Sequence, residues 1–140
     1  MTYLDTSVVA AYYCPEALSA RVQAALADET ERAISSLVEV ELASAVAQKV
    51  RSRQLTRADA RLILGKFHSH LQQNIYARLS LEAGHFSQAR EWLASLTASL
   101  RTLDALHVAV AATNDCSLLT SDAALAKACG NLGVSVRLVR

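Results

Sequence analysis

The sequence is poor in residues that break regular structure. Its 140 residues include one proline and four glycines. A fold rich in tight hairpins normally needs more of both, so the composition favours helices. Aromatic residues make up 5% of the chain, and Phe67, Phe86 and Trp92 are read as core or interface anchors rather than base-stacking platforms. Cysteine is scarce and odd in number: Cys14, Cys116 and Cys129 show no CxxC spacing. That argues against a zinc site and for buried thiols in a reducing cytoplasm, the expected location. No apolar run is long enough to span a bilayer, so no membrane association is expected. Residues 1–5 lack a basic n-region and break early with a carboxylate, so no signal peptide is expected. Net charge is also lacking: +1 overall, which by itself suggests no nucleic-acid partner.

What is present is apolar, and in two places patterned by charge. Hydrophobic residues make up 52%, enough for a real core in a chain of this length. Ala and Leu dominate, and both form helices well. No linker, repeat or low-complexity tract interrupts the chain, so a single domain over 1–140 is expected. Lys49, Arg51, Arg53, Arg57, Arg61 and Lys66 fall close together, with Asp59 the one acid among them. Such a cluster reads either as a solvated helix face or as a sequence-independent contact to phosphates.

Short strands alternate with helices. The strand candidates are Thr2–Asp5, Arg32–Ser35, Tyr76–Leu81, Ser117–Thr120 and Val134–Val139. Between them, helices are expected over Val8–Cys14, Leu18–Leu26, Leu37–Arg51 (capped by Ser36), Arg57 to about Gln72 (capped by Thr56), Phe86–Leu96, Thr102 or Leu103 to about Thr113, and Ala123–Cys129, the last ended by Gly130. This alternation predicts an α/β fold of three layers, α/β/α, around a parallel sheet of about five short strands. In such sheets ligands bind beyond the carboxyl ends of the strands, near the topological switch point.

Four acids fall where that geometry would gather them. Asp5 and Asp122 follow strands, Asp104 opens a helix, and Glu41 lies within one. Singly, each has a structural explanation. Asp5 is a plausible helix N-cap. Asp104 and Asp122 sit in first turns, where the helix macrodipole favours an anion. Glu41 is a helix-surface residue beside an apolar face. Jointly they crowd carboxylates that repel unless cations lie between them, and Mg²⁺ and Mn²⁺ prefer such oxygen ligands. Glu39 competes with Glu41; two residues apart on a helix, they cannot share a face.

The segments Tyr3-Leu4-Asp5-Thr6-Ser7-Val8, Ile34-Ser35-Ser36-Leu37 with Glu41-Leu42, Leu103-Asp104-Ala105-Leu106-His107-Val108-Ala109 and Leu119-Thr120-Ser121-Asp122 match a known order and separation. Over nearly its whole length the chain resembles the PIN-domain ribonucleases, most closely the VapC-type toxins of type II toxin–antitoxin systems. The resemblance implies an Mg²⁺-dependent endoribonuclease, with Mn²⁺ as a substitute. In it Asp5, Glu41, Asp104 and Asp122 would be catalytic and metal-ligating, with Asp5 and Asp104 the surest ligands. Thr6 or Ser7, together with Thr120, would orient carboxylates by hydrogen bonds. Hydrolysis would use a water activated by the ion and need no catalytic histidine. The resemblance also implies a cognate VapB-type antitoxin, an RNA substrate and a homodimer, with Val8, Val9, Tyr12 and Tyr13 as candidate contact surfaces.

Two other classes compete. One is a PIN fold that binds RNA or scaffolds without cutting. The other is a phosphatase of the haloacid dehalogenase kind. That family needs a second Asp two residues after the first, where this chain has Ser7, and a catalytic Lys that is not evident here. Among the histidines, His68 and His70 are too close in sequence to share one helix face, and His85 is read as a cap or exposed. His107 shares a flank with Asp104 and reads either as a packing residue or as a neighbour of the site.

Overall fold

The structure is a computed structural model describing residues 1–140. Five strands, β1 (Thr2–Leu4), β2 (Arg32–Ser35), β3 (Ala77–Leu79), β4 (Ser117–Thr120) and β5 (Val136–Leu138), form one sheet. Every pairing is parallel and the order is β3-β2-β1-β4-β5. Seven helices connect them: α1 (Thr6–Tyr13), α2 (Ser19–Ala27), α3 (Ser36–Arg51), α4 (Arg57–Gln72), α5 (Ala83–Ala94), α6 (Thr102–Thr113) and α7 (Ala123–Asn131). The connections from β1 to β2 and β3 run one way across the sheet; those to β4 and β5 run the other. Right-handed crossovers therefore put α1–α4 on one face and α5–α7 on the other. The expected three-layer α/β/α fold is the one observed.

The central strands are buried on both sides. Tyr3, Leu4, Leu118 and Leu119 have no exposed surface, which is why they read as apolar runs rather than as alternation. Thr2, Tyr3 and Leu4 lie opposite Ser117, Leu118 and Leu119. The Asp5 amide continues this ladder, donating to the Leu119 carbonyl at 3.2 Å. That bond sets Asp5 beside Thr120 where the two strands end. The α6 residues Ala105–Ala111 are all buried, as suits a helix between the sheet and α5.

Several element boundaries differ from the sequence reading. α1 begins at Thr6 rather than Val8, because the Asp5 carboxylate accepts from the Val8 amide and caps it. α3 starts at Ser36, with Ser35 at the capping position but making no side-chain cap bond. α5 starts at Ala83, earlier than Phe86, closed by a reciprocal box between Glu82 and His85. α7 runs through Gly130 to Asn131; Gly133, at φ 71°, takes the left-handed conformation instead. β3 and β5 are shorter than the expected Tyr76–Leu81 and Val134–Val139, as edge strands with one partner each.

One side-chain expectation is corrected. Val8, Val9 and Tyr13 are buried because α1 is enclosed by α2, α3 and the sheet, so they offer no intermolecular surface. Tyr13 instead bonds Tyr76 at 2.7 Å and His70 at 2.6 Å, with its ring edge-on to Phe67. Phe67 is a core anchor and Trp92 packs against the core from partial burial. Phe86 is exposed and borders an apolar hollow between α5 and α6 with Leu93 and Leu106. The three cysteines are free and buried. No helix is long and apolar enough to cross a membrane.

Candidate active site

The chain connections run in opposite directions across the sheet from β1 and β4, so the crevice beyond the carboxyl ends of these parallel strands is the switch point where α/β folds bind ligands. Asp5 leaves β1 into this crevice, and Thr120 and Asp122 leave β4 into it. Glu41 approaches along α3, and Asp104 from the first turn of α6.

Asp5 is buried and closely held. Its Oδ1 accepts from the Val8 amide at 3.1 Å and the Ser7 hydroxyl at 2.6 Å. Its Oδ2 accepts from the Thr120 hydroxyl at 2.5 Å. Burial pushes the Asp5 pKa up, against the lowering effect of Ser7, Thr120, the Val8 amide and His107. Thr120 Oγ1 accepts in turn from the Asp122 amide at 3.0 Å, so one hydroxyl joins two of the acids. Ser7 Oγ likewise accepts from the Ser121 amide at 3.0 Å, tying α1 to the loop after β4.

The other acids border the crevice. Asp122 caps α7, its Oδ1 accepting from the amides of Ala124 and Leu125 at 2.8 and 3.1 Å. Its Oδ2 faces the Arg101 guanidinium at 4.0 Å. Arg101 also reaches Asp104, at 3.3 Å. Glu41 Oε1 accepts from the Thr6 hydroxyl at 2.8 Å and is bonded to His107 Nε2. Burial pushes Glu41 up, but the hydrogen bond and charge of His107, with the Thr6 hydroxyl, outweigh it and hold the carboxyl below its ordinary range. A groove of about 310 Å³ is lined by Arg101, Asp104 and Asp122. A neighbouring one of about 360 Å³ is lined by Glu41, Arg101 and Asp104. Burial, joined by the charges of Asp5 and Asp104, pushes the Cys129 thiol up to about 11.

Glu39 points elsewhere. It forms a two-pronged pair with Arg78, at 2.7 and 3.2 Å, joining α3 to β3. The cationic stretch is mostly solvent-facing, with Lys49 paired to Glu16 at 3.1 Å. A larger hollow, about 450 Å³, lies by Met1, Cys116, Ser117 and Ser135, at the amino ends of the strands and away from the gathered acids.

The donor chemistry suits a hard divalent ion: the four acids offer only oxygen. Asp5 is a buried carboxylate with no lysine or arginine paired to it, a charge that an ion would offset. As the side chains stand, no three acids, cysteines or histidines are grouped closely enough to hold one ion. Arg101 spans two of the acids.

Sequence reasoning missed Arg101, although its spacing from Asp104 puts the two on one helix flank. It missed Tyr3 and Ser35 too. Tyr3 OH bonds Ser35 Oγ at 2.8 Å and His107 Nδ1 at 2.7 Å. Nothing in a strand tyrosine or a strand-end serine signals that link.

The comparisons with known proteins agree with this architecture. No curated protein is matched. FitAcB from Neisseria gonorrhoeae is 23% identical, with 97% of this chain and 96% of that one covered and a TM-score of 0.70. The Mycobacterium tuberculosis VapC20 toxin, described as cleaving the sarcin–ricin loop, is 18% identical, with coverage of 91% and 95% and a TM-score of 0.72. VapBC2 from Rickettsia felis, bound to promoter DNA, is 17% identical, with both chains covered completely and a TM-score of 0.67. At these identities the likeness is one of fold. A family model described as the PIN domain matches residues 2–131, and the chain therefore belongs to the PIN-domain family.

Proposed function

We propose that the chain is a metal-dependent endoribonuclease, the toxin of a type II toxin–antitoxin pair. The observation that carries this reading is that Asp5 and Asp122 are joined through Thr120 and Asp104 and Asp122 through Arg101 at the β1/β4 switch point, with Glu41 bordering the same groove as Asp104. Its support from relatives is the sarcin–ricin-loop-cleaving toxin and the toxin–antitoxin complexes of the same fold.

In this reading Asp5, Asp104, Asp122 and Glu41 hold Mg²⁺, or Mn²⁺ in its place. The ion's contribution when bound is to activate water and to neutralise charge on the phosphoryl oxygens. The chain's residues do the rest. Ser7 and Thr120 fix the two oxygens of Asp5, and Thr120 carries that orientation to Asp122 through the backbone. Thr6 and His107 hold Glu41 ionised. Arg101 is highly exposed, so its pairs with Asp104 and Asp122 contribute little to stability. Its planar fork matches phosphate as well as carboxylate, which suits it to hold the RNA backbone over the acids. The proposed partners are a VapB-type antitoxin, structured RNA and a second copy of the chain.

A nuclease assay on structured ribosomal RNA tests the reading. Cleavage is expected with Mg²⁺ or Mn²⁺, lost with chelator, and lost in Asp104→Ala. Expression of the wild type should arrest bacterial growth, and the same substitution should relieve the arrest. Cleavage or toxicity unchanged in Asp104→Ala would contradict the assignment. One observation favours a second reading, RNA binding without cleavage: Arg101 bridges Asp104 and Asp122. RNA retention with no cleavage by the wild type in either metal would select it.

A further inference from the structure

We propose that His107 is a positioning residue that holds Glu41 with one oxygen anchored and the other presented to the groove. The inference deepens the nuclease reading and rests on Glu41 belonging to its acidic set.

His107 is buried in the apolar run of α6. A buried imidazole is costly unless both nitrogens find partners, and here both do. Nε2 meets Glu41 and Nδ1 meets Tyr3. An ionised carboxylate only accepts, so Nε2 carries the hydrogen facing Glu41. Nδ1 meets the Tyr3 hydroxyl, which Ser35 Oγ meets in turn. The Nε2–H bond to Glu41 is kept whether the ring is neutral or charged, and in the neutral ring the hydroxyls of Tyr3 and Ser35 donate along the chain towards it. Burial raises the Tyr3 pKa, so its hydroxyl keeps its proton.

The arrangement is one-sided. Thr6 and His107 both bond Oε1 of Glu41, while Oε2 takes no hydrogen bond from the chain. Glu41 borders the groove shared with Arg101 and Asp104. A side chain anchored through one oxygen only, from a buried relay reaching to the end of β2, is oriented rather than merely satisfied. Backing of this type sets ligand orientation in metal sites, and its loss typically costs ten- to a hundredfold in affinity.

The test uses His107→Asn and His107→Gln in the full chain. The glutamine amide reaches where Nε2 lies and can still donate to Glu41; the asparagine amide reaches Tyr3 but not Glu41. Calorimetric Mn²⁺ titration without RNA should show affinity roughly tenfold weaker in His107→Asn and near wild type in His107→Gln. In a Glu41→Gln background, His107→Asn should cause no further loss. The ¹³C resonance of the Glu41 carboxyl should move in His107→Asn and stay in His107→Gln. Equal Mn²⁺ affinity in His107→Asn and wild type, or a loss undiminished in the Glu41→Gln background, would overturn the inference. The nuclease reading fails separately, by Asp104→Ala keeping cleavage. Should the wild type take no Mn²⁺, the carboxyl resonance still decides the positioning role: an unmoved signal in His107→Asn rejects it.

Discussion

At the residue scale, Asp5 shows the tension between folding and function most plainly. It caps α1, accepts three hydrogen bonds, and is still raised above the ordinary aspartate value of 3.8 because it is buried. A carboxyl raised in the folded state contributes stability that is complete below its unfolded pKa and is lost as pH rises through its folded one. Metal-free protein should therefore lose stability on that account towards neutral pH. Asp5→Asn keeps a capping oxygen and removes the charge. It should raise metal-free stability at pH 7 by roughly 1 kcal/mol, the scale of relief at strained functional sites, while abolishing cleavage. Urea melts across pH check this: the gain over wild type should grow as pH rises, and a variant less stable at pH 7 than at acid pH relative to wild type would contradict it. Glu41 has the opposite sign. Its lowered pKa contributes stability above the ordinary glutamate range that is lost as pH falls through the folded value.

At the scale of elements, helix α3 separates two glutamates, of which the Glu41-Leu42 pairing and the distance from Ser36 favour Glu41 in the sequence. Glu39 joins α3 to β3 through Arg78 near the surface, whereas Glu41 turns towards α6. Glu39→Ala should leave RNA cleavage unchanged and cost at most about 1 kcal/mol, while Glu41→Ala should remove cleavage. Equal activities for the two would show that the geometry of α3 has been misassigned. Elements with local signals are legible: Thr56 caps α4 and the Asp59 amide donates to it, and α6 starts at Thr102, one of its two expected starts, and ends at Thr113. Others were hidden by unusual chemistry. The α5 box uses His85, buried, where Glu or Gln is customary, so the sequence pattern puts the start of the helix later, at Phe86. Ser35 occupies a capping position but spends its hydroxyl on Tyr3. Gly130 looked like a stop signal, yet the backbone needed its left-handed residue only at Gly133.

At the scale of the molecule, the fold and the placing of Asp5 and Asp122 just after β1 and β4 follow from a pattern: apolar strands between helices, each of these two followed by a carboxylate. What connects the acids did not follow, because Thr120 to Asp5, Ser35 to Tyr3 and His107 to Glu41 are contacts between residues far apart in sequence. The same connections rest on a rigid centre. Leu118 and Leu119 have no exposed surface, and β4 is paired on both sides. Leu118→Ala should cost about 2–5 kcal/mol of stability and weaken cleavage only through unfolding, so the folded fraction should retain wild-type specific activity. A stable but inactive Leu118→Ala would mean that the sheet does more than hold the site in place.

The central claim is that side chains from β1, α3, α6 and the end of β4 hold one divalent cation between them. Anomalous diffraction from Mn²⁺-soaked crystals tests it most directly. The expected result is a single strong site within roughly 2.0–2.5 Å of carboxylate oxygens from Asp5 and at least one of Glu41, Asp104 and Asp122, with Arg101 turned away from Asp104. Saturating Mn²⁺ that leaves this crevice empty and the Arg101 bridge intact would contradict the account.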